Sequence, residues 1–231
     1  MFNSIFPKHL FLLPLVLYWT GCLCCVKQPG PASQSKTTQS KMPAAGGWQI
    51  LFDGKSLKGW KETAFAGAGK VQVIDGELRI EMGLIMTGAN YTNATPKLDY
   101  EIEYEAKKTD GADFFAALTF PVGTKAVTFI NGGWGGAVTG ISSIDMQDAS
   151  ENETTKYLKF EKGQWYKFRI RVTAKKLQVW MDDKVVIEQD IAGRDLSMRA
   201  GEIELSAPFG IAAYQSSAAI RNIRVRELPK P

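Results

Sequence analysis

The stretch YEIEYEAK, residues 100–107, alternates without a break. Tyr100, Ile102, Tyr104 and Ala106 fall on one side of an extended chain, and Glu101, Glu103 and Glu105 on the other. A period of two is that of a β-strand with one face in a core and the other toward water. YKFRIRV, residues 166–172, repeats the pattern with Tyr166, Phe168, Ile170 and Val172 inward. VQVIDGELRI, residues 71–80, holds two short runs joined by Asp75-Gly76, a pair that tolerates positive φ and marks a hairpin. LQVWMDDKVVIEQ, residues 177–189, is a second hairpin turning at Asp182-Asp183-Lys184, and IRNIRVREL, residues 220–228, is a further alternating strand. No segment sustains a helical period. Short strands with one polar face predict an all-β domain, two packed antiparallel sheets in a jelly-roll sandwich.

The rest of the chain bounds the chemistry. Its 231 residues are 45% hydrophobic and 23% charged, an ordinary globular composition sized for one domain plus accessories. The formal charge is +4, and the basic residues are spread along strands rather than gathered in a run, which argues against nucleic acid as a partner. Residues 1–21 read as an export signal: Lys8 and His9 precede an apolar run, Leu10 to Trp19, too short to span a bilayer. Thr20-Gly21-Cys22 resembles a bacterial lipoprotein cleavage box, although Trp19 stands where that box usually has Leu. Cys22 is therefore the expected lipidation site, with ordinary signal cleavage or an uncleaved anchor as alternatives. Residues 22–46, rich in Pro, Ser, Gln, Thr and Lys, read as a flexible tether, and residues 47–228 as the domain. The expected location is the bacterial cell envelope, as a lipoprotein, or a secreted or periplasmic state. Membrane contact is expected only through the lipid.

Cys22, Cys24 and Cys25 are the only cysteines and His9 the only histidine, all before the domain. Within it, histidine-dependent triads, thiolate nucleophiles and Cys/His zinc sites are excluded. Any chemistry must use Asp, Glu, Lys, Tyr or an oxygen-ligated cation.

INGGWGGAVTGISSIDMQDASENET, residues 130–154, breaks the strand pattern. Four glycines bracket Trp134, which is either a platform for a sugar ring or a core or rim residue beside a sharp turn. GISSID, residues 140–145, reads as a strand, with Ile141, Ser143 and Asp145 on one face and Ser142, Ile144 and Met146 on the other. Asp148, Glu151 and Glu153 follow. Clustered carboxylates serve as acid and base or as ligands for a hard cation such as calcium, but this spacing does not match an EF-hand loop. A solvated acidic loop is the plainer reading for Glu151 and Glu153. The catalytic candidates are Asp145, Asp148 and Glu151; the substrate-binding candidates are Trp134, Asn131, Ser143 and Lys125. In GADFFAALTFPVG, residues 111–123, Phe114, Phe115, Leu118 and Phe120 read as core, with Asp113 at the end of the run. Arg169, Arg171, Arg224 and Arg226 alternate outward, on a solvated face or lining a concave sheet.

WQILFDGKSLKGWK, residues 48–61, resembles the opening of the 3-keto-disaccharide hydrolase domain, whose hallmark Phe-Asp-Gly-Lys-Ser/Thr-Leu-x-Gly-Trp is matched by Phe52 to Trp60. The closing strand pair GIAAYQSSAAIRNIRVREL, residues 210–228, matches that family in style, and the resemblance spans 47–228. It implies a concanavalin-A-like jelly roll, similar in shape to laminin-G modules and family 16 glucanases, in exported proteins of polysaccharide-degrading bacteria. The middle departs from the family. Better-known members carry a Tyr-Glu-x-Gln-Ile-x-Asp strand; here Asp145 takes the place of the last Asp, and the Glu and Gln have no counterparts. The opening motif itself reads as architecture, with a turn at Asp53-Gly54 and Leu57 and Trp60 pinning the arm to the sandwich.

The resemblance implies a hydrolase acting on glycosidic bonds of 3-keto-glycosides. A C3 ketone acidifies the C2 hydrogen; a base removes it, the enolate expels the C1 substituent, and water adds back. Asp145 or Glu151 would be the base; a cation, Lys125 or an arginine would hold the enolate oxygen, and Trp134 the ring. An ordinary glycosidase needs two carboxylates at a set separation, for which Asp145 and Asp148 are the pair. A non-catalytic carbohydrate-binding module or a surface interaction domain are the competing classes.

Overall fold

The computed structural model describes residues 46–229. The expected export signal, Cys22 and the tether up to residue 45 lie outside the described residues. Among the described residues there are fifteen strands and one 3-10 helix. In chain order they are β1 Gln49–Ile50, β2 Trp60–Glu62, β3 Val71–Ile74, β4 Glu77–Ile80, β5 Met86–Tyr91, β6 Tyr100–Gly111, β7 Phe115–Val122, β8 Lys125–Gly133, β9 Val138–Ser142, β10 Lys156–Tyr157, β11 Tyr166–Val172, β12 Lys176–Met181, β13 Lys184–Asp190, the helix Glu202–Ser206, β14 Gly210–Tyr214 and β15 Ser216–Glu227.

They form two antiparallel sheets. One runs β13-β12-β11-β6-β15-β4-β3, with β1 also on β15; the other runs β10-β9-β8-β7-β14-β5-β2. The alternation of 100–107 and 166–172 is realised in register: Tyr104 opposes Phe168 and Ile102 opposes Ile170. Both inner faces meet in one core. Phe168 stacks on Tyr104 at 5.1 Å and meets Phe129 of the facing sheet edge-on at 5.7 Å. Each such fully buried ring contributes about 1.5–3 kcal/mol relative to an exposed one. Trp60 is buried against Tyr91 and Phe209, and its indole N–H donates to the Leu51 carbonyl at 2.8 Å. The Asp53 carboxylate accepts from the backbone N–H groups of Lys55 and Ser56. The opening motif is thus architectural.

The outer face of the eight-stranded sheet is a ladder of ion pairs, which decides between the two readings of the arginines. Glu101 is fully buried between Arg171 and Arg226, Glu103 pairs with Arg224, and Glu105 with Arg221. Trp180 lies under Arg169 at 4.2 Å, Trp165 under Arg221 at 4.0 Å and Trp48 under Arg224 at 4.5 Å. Flat guanidinium groups on indole faces keep charge in water and cover apolar surface. Burial pushes Glu101 upward, but hydrogen bonds from Arg226 and Arg171 outweigh it and hold the carboxyl below its ordinary value.

The outer face of the seven-stranded sheet differs. Its side chains are small or weakly polar, among them Ala117, Thr119, Thr128, Gly140 and Ala212, and those with side chains are buried. Segments 143–155 and 195–207 cover them and leave a cavity.

Candidate functional site

The cavity has a volume of about 350 Å³ and lies on the outer face of β5, β7, β8, β9 and β14. Thr128, Ile130, Ser142, Tyr214 and Met86 form its floor, and Asp113, Phe114, Trp134, Arg199, Glu202 and Ile203 its walls.

Trp134 stands in the turn between β8 and β9 with φ of 50°, in the left-handed region. The Asp113 carboxylate fixes that turn: one oxygen accepts from the Gly135 N–H at 2.8 Å and the other from the Phe114 N–H at 2.8 Å. Gly136 allows the turn to lie against β6's end, since a Cβ there would come within 2.9 Å of the Ala112 carbonyl oxygen. Trp134 is 44% exposed, and the Arg199 guanidinium lies 5.6 Å from its ring centre. The structure places it at the rim of the cavity, partly exposed beside Arg199.

Below it, Asp148 is buried and holds Arg199. Its other oxygen accepts from the Ser142 hydroxyl and the Ala149 N–H. Arg199 itself remains 59% exposed at the side chain, so its free N–H groups are presented to the cavity by a carboxylate that is not. Glu202, the first residue of the short helix, also lines the wall, and one of its oxygens is shut off from solvent without a hydrogen-bond donor.

The segment 140–155 does not continue as a strand. β9 ends at Ser142; Asp145 and Met146 take positive φ, and Ile144 makes only isolated bridges to Gln147 and Leu196. The alternating faces expected for Ser143 and Asp145 are therefore not realised. Ser143 is buried, exchanging backbone hydrogen bonds with Ser197, and its neighbour Ser142 reaches the cavity instead. Asp145 points away from the cavity. Its carboxylate accepts from the Asp195 N–H at 2.8 Å and from Arg194 Nε at 2.6 Å, and these contacts hold it below its ordinary value. Glu153 pairs with the same Arg194 and is lowered first by that hydrogen bond. Glu151 is exposed and turns back to accept from the Asp148 N–H at 3.3 Å. Asn152 ties the loop down, donating to the Ile141 and Gln147 carbonyls while Thr154 donates to its oxygen. The acidic stretch is an ordered strap along the β9 edge.

Two further sequence candidates lie elsewhere. Asn131 opposes Thr139 in the same phase as Phe129 and Ile141, so it points between the sheets and is fully buried. Lys125 is exposed at the opposite end of β8. Of the seven candidates, Trp134 and Asp148 are brought together. Among the described residues no three carboxylates converge as a cation cage; the strap's acids meet arginines and backbone N–H groups. Sequence reading left out Arg199 and Glu202, which sit in a segment without periodicity or motif, and Tyr214, the last residue of β14, which nothing in its strand sets apart. It placed Phe114 in the core, whereas Phe115, Leu118 and Phe120 are core and Phe114 faces the cavity. The alternation around Phe115 is broken because Ala116 has φ of 88° and the strand bulges.

Residues 47–226 match the family model described as a 3-keto-alpha-glucoside-1,2-lyase-like domain. Among curated proteins none matches the chain in sequence. Among solved structures the chain is similar to a candidate glycosyl hydrolase of Parabacteroides distasonis ATCC 8503, at 14% identity and TM-score 0.51, covering 79% of this chain and 95% of that one. It is also similar to SCLam, a non-specific endo-beta-1,3(4)-glucanase from family GH16, at 12% identity and TM-score 0.51, covering 83% and 94%. A third is the carbohydrate recognition domain of Emp46p, at 13% identity and TM-score 0.52, covering 79% and 96%. At these identities the likeness is one of fold, the concanavalin-A-like jelly roll. That fold serves both a glucanase and a recognition domain, so it does not choose between them.

Proposed function

The chain belongs to the 3-keto-alpha-glucoside-1,2-lyase-like domain family, and from that premise we propose that the cavity beside Trp134 binds a 3-keto-glycoside and cleaves its glycosidic bond by elimination and hydration. The observation that carries the reading is the meeting of a partly exposed indole, a half-exposed arginine and the Glu202 carboxylate in the lining of one cavity.

In this reading the sugar ring rests on Trp134 and Arg199 donates to the C3 oxygen. Glu202 takes the C2 proton. The electron pair of the C2–H bond moves into C2–C3, and negative charge collects on the C3 oxygen, where the guanidinium stabilises it. Collapse of that enolate breaks the bond from C1 to the leaving oxygen, which is protonated as it departs. Addition of water at C1, with a proton returned to C2, completes a net hydrolysis. Asp148 acts through Arg199 as a positioning residue, and Asp113 through the Trp134 turn. Asp145 and Glu151, the bases expected from sequence, are replaced in this role because they face away from the cavity.

The alternative is a sugar-binding module without chemistry. It is favoured by Asp113 and Asp148 both being already engaged, which leaves Glu202 as the base. The test offers the full chain a 3-keto-glucoside and the matching unoxidised glucoside, each with and without a chelator. Cleavage of the keto-glycoside alone, abolished in Glu202→Gln while ligand binding persists, supports elimination. Binding without cleavage in the native chain supports the module. For the N-terminal region we keep the expectation of export with a lipid on Cys22; mass spectrometry of the cellular protein tests it, and an unmodified Cys22 would contradict it.

A further inference from the structure

The cavity is divided along its length. Its floor crosses β9, β8, β7, β14 and β5 in that order, and neighbouring strands about 4.8 Å apart make it roughly 19 Å long. The β9–β8 end carries Ser142, Thr128 and Arg199. The β14–β5 end carries Met86 and Tyr214, walled by Ile203 and Phe114. Phe114 and Tyr214 lie side by side, ring centres 5.6 Å apart and 31° from parallel. Ile203 and Phe114 offer no donor or acceptor, Met86 only a weak thioether acceptor, and Tyr214 one hydroxyl.

A second sugar on this end would lay a hydroxyl-studded ring against walls that offer it little beyond one tyrosine hydroxyl, and each hydroxyl stripped of water without a partner opposes binding. A flat apolar ring loses nothing there and gains offset contact with the Phe114–Tyr214 pair. Resting on the reading of the cavity as a glycoside site, we infer that the leaving group is an aryl aglycone rather than a second sugar. The sugar takes the Trp134–Arg199 end and the aglycone the Phe114–Tyr214 end.

The test measures binding to the full chain, by Trp fluorescence and calorimetry, of methyl, phenyl and glucosyl glucosides of one anomeric configuration. Turnover of their 3-keto forms is followed in parallel. Burial of a phenyl ring is expected to tighten binding over the methyl glucoside by about 10–100-fold, with the glucosyl compound no tighter than methyl. Tyr214 is only partly buried, so Tyr214→Ala should fold; it should cut the advantage of phenyl over methyl glucoside by about 3–10-fold. Glucosyl binding equal to phenyl, or Tyr214→Ala weakening methyl and phenyl alike, would overturn the inference. In that case a methyl glucoside that still binds leaves the sugar site standing. If no glucoside binds, both fail.

Discussion

Gly140→Ala probes how the strap positions the site. Gly140 lies in β9 opposite Ile130, and its outer side faces Ala149 of the strap. An added Cβ would sit 2.8 Å from the Ala149 carbonyl oxygen and 3.2 Å from its Cα and Cβ. Two of these are backbone atoms and the third is a Cβ fixed to them, so none can swing aside. That carbonyl also accepts from the Thr155 hydroxyl at 2.9 Å, so lifting it strains a second contact. Overpacking of this kind costs about 1–3 kcal/mol. Gly140 has an ordinary negative φ, so the substitution recovers about 0.4–1 kcal/mol through the unfolded chain. The net centres on about 1.3 kcal/mol, which lowers Tm by about 3–5 °C in a domain of this size. Ala149 follows Asp148 in the chain and its N–H donates to that carboxylate, so the shift also loosens Arg199. Differential scanning calorimetry and binding of a glucoside would report both effects. A Tm within about 1 °C of the native value, with binding unchanged, would refute the argument that the strap is packed against β9 and sets the arginine.

Further outcomes follow from the same geometry. Asn152→Ala removes four hydrogen bonds of the strap, three of them buried, and should cost about 2–4 kcal/mol, read from urea unfolding. Trp134→Ala should leave Tm nearly unchanged, because the ring is 44% exposed, yet weaken sugar binding about tenfold by calorimetry. Glu101 and Glu105 both lie below the ordinary 4.5 against burial, Glu101 through hydrogen bonds from Arg226 and Arg171 and Glu105 through those from Asn222 and Arg221. Their ionised forms therefore stabilise the fold fully above that value, and the contribution is lost as pH falls through the depressed folded values. Glu101→Gln should lower stability at neutral pH and flatten its acid limb; an unchanged pH dependence would contradict the ladder's role.

The sandwich was legible because burial enforces alternation. In β6 and β11 every second side chain has to enter a core, and the sequence records it. Asp75-Gly76 marked its hairpin for a local reason, the positive φ that the turn requires. The site was less legible: its floor comes from outward strand positions that nothing in the sequence sets apart, and its walls from turns and from segment 195–207, where no period is imposed. Trp134 stood out through its glycines. Arg199 and Glu202 carried no such signal; they become neighbours of Trp134 only after the strand order brings β9 beside β8 and the following segment folds back over them. The acids of 145–153 looked like chemistry because they cluster in sequence. Their partners, Arg194 and Arg199, are more than forty residues away in the chain, and those partners turn most of them into structure.

The most direct test of the cavity as the working site is turnover of a 3-keto-glucoside by the native chain, Arg199→Met and Asp145→Asn, with Tm recorded for each. Arg199→Met should lower kcat/KM by about 100-fold or more through loss of enolate stabilisation, with the fold intact. Asp145→Asn should keep turnover and lose only thermal stability. Full activity in Arg199→Met, or abolished turnover at native Tm in Asp145→Asn, would move the chemistry from the cavity to the acidic strap and contradict the account.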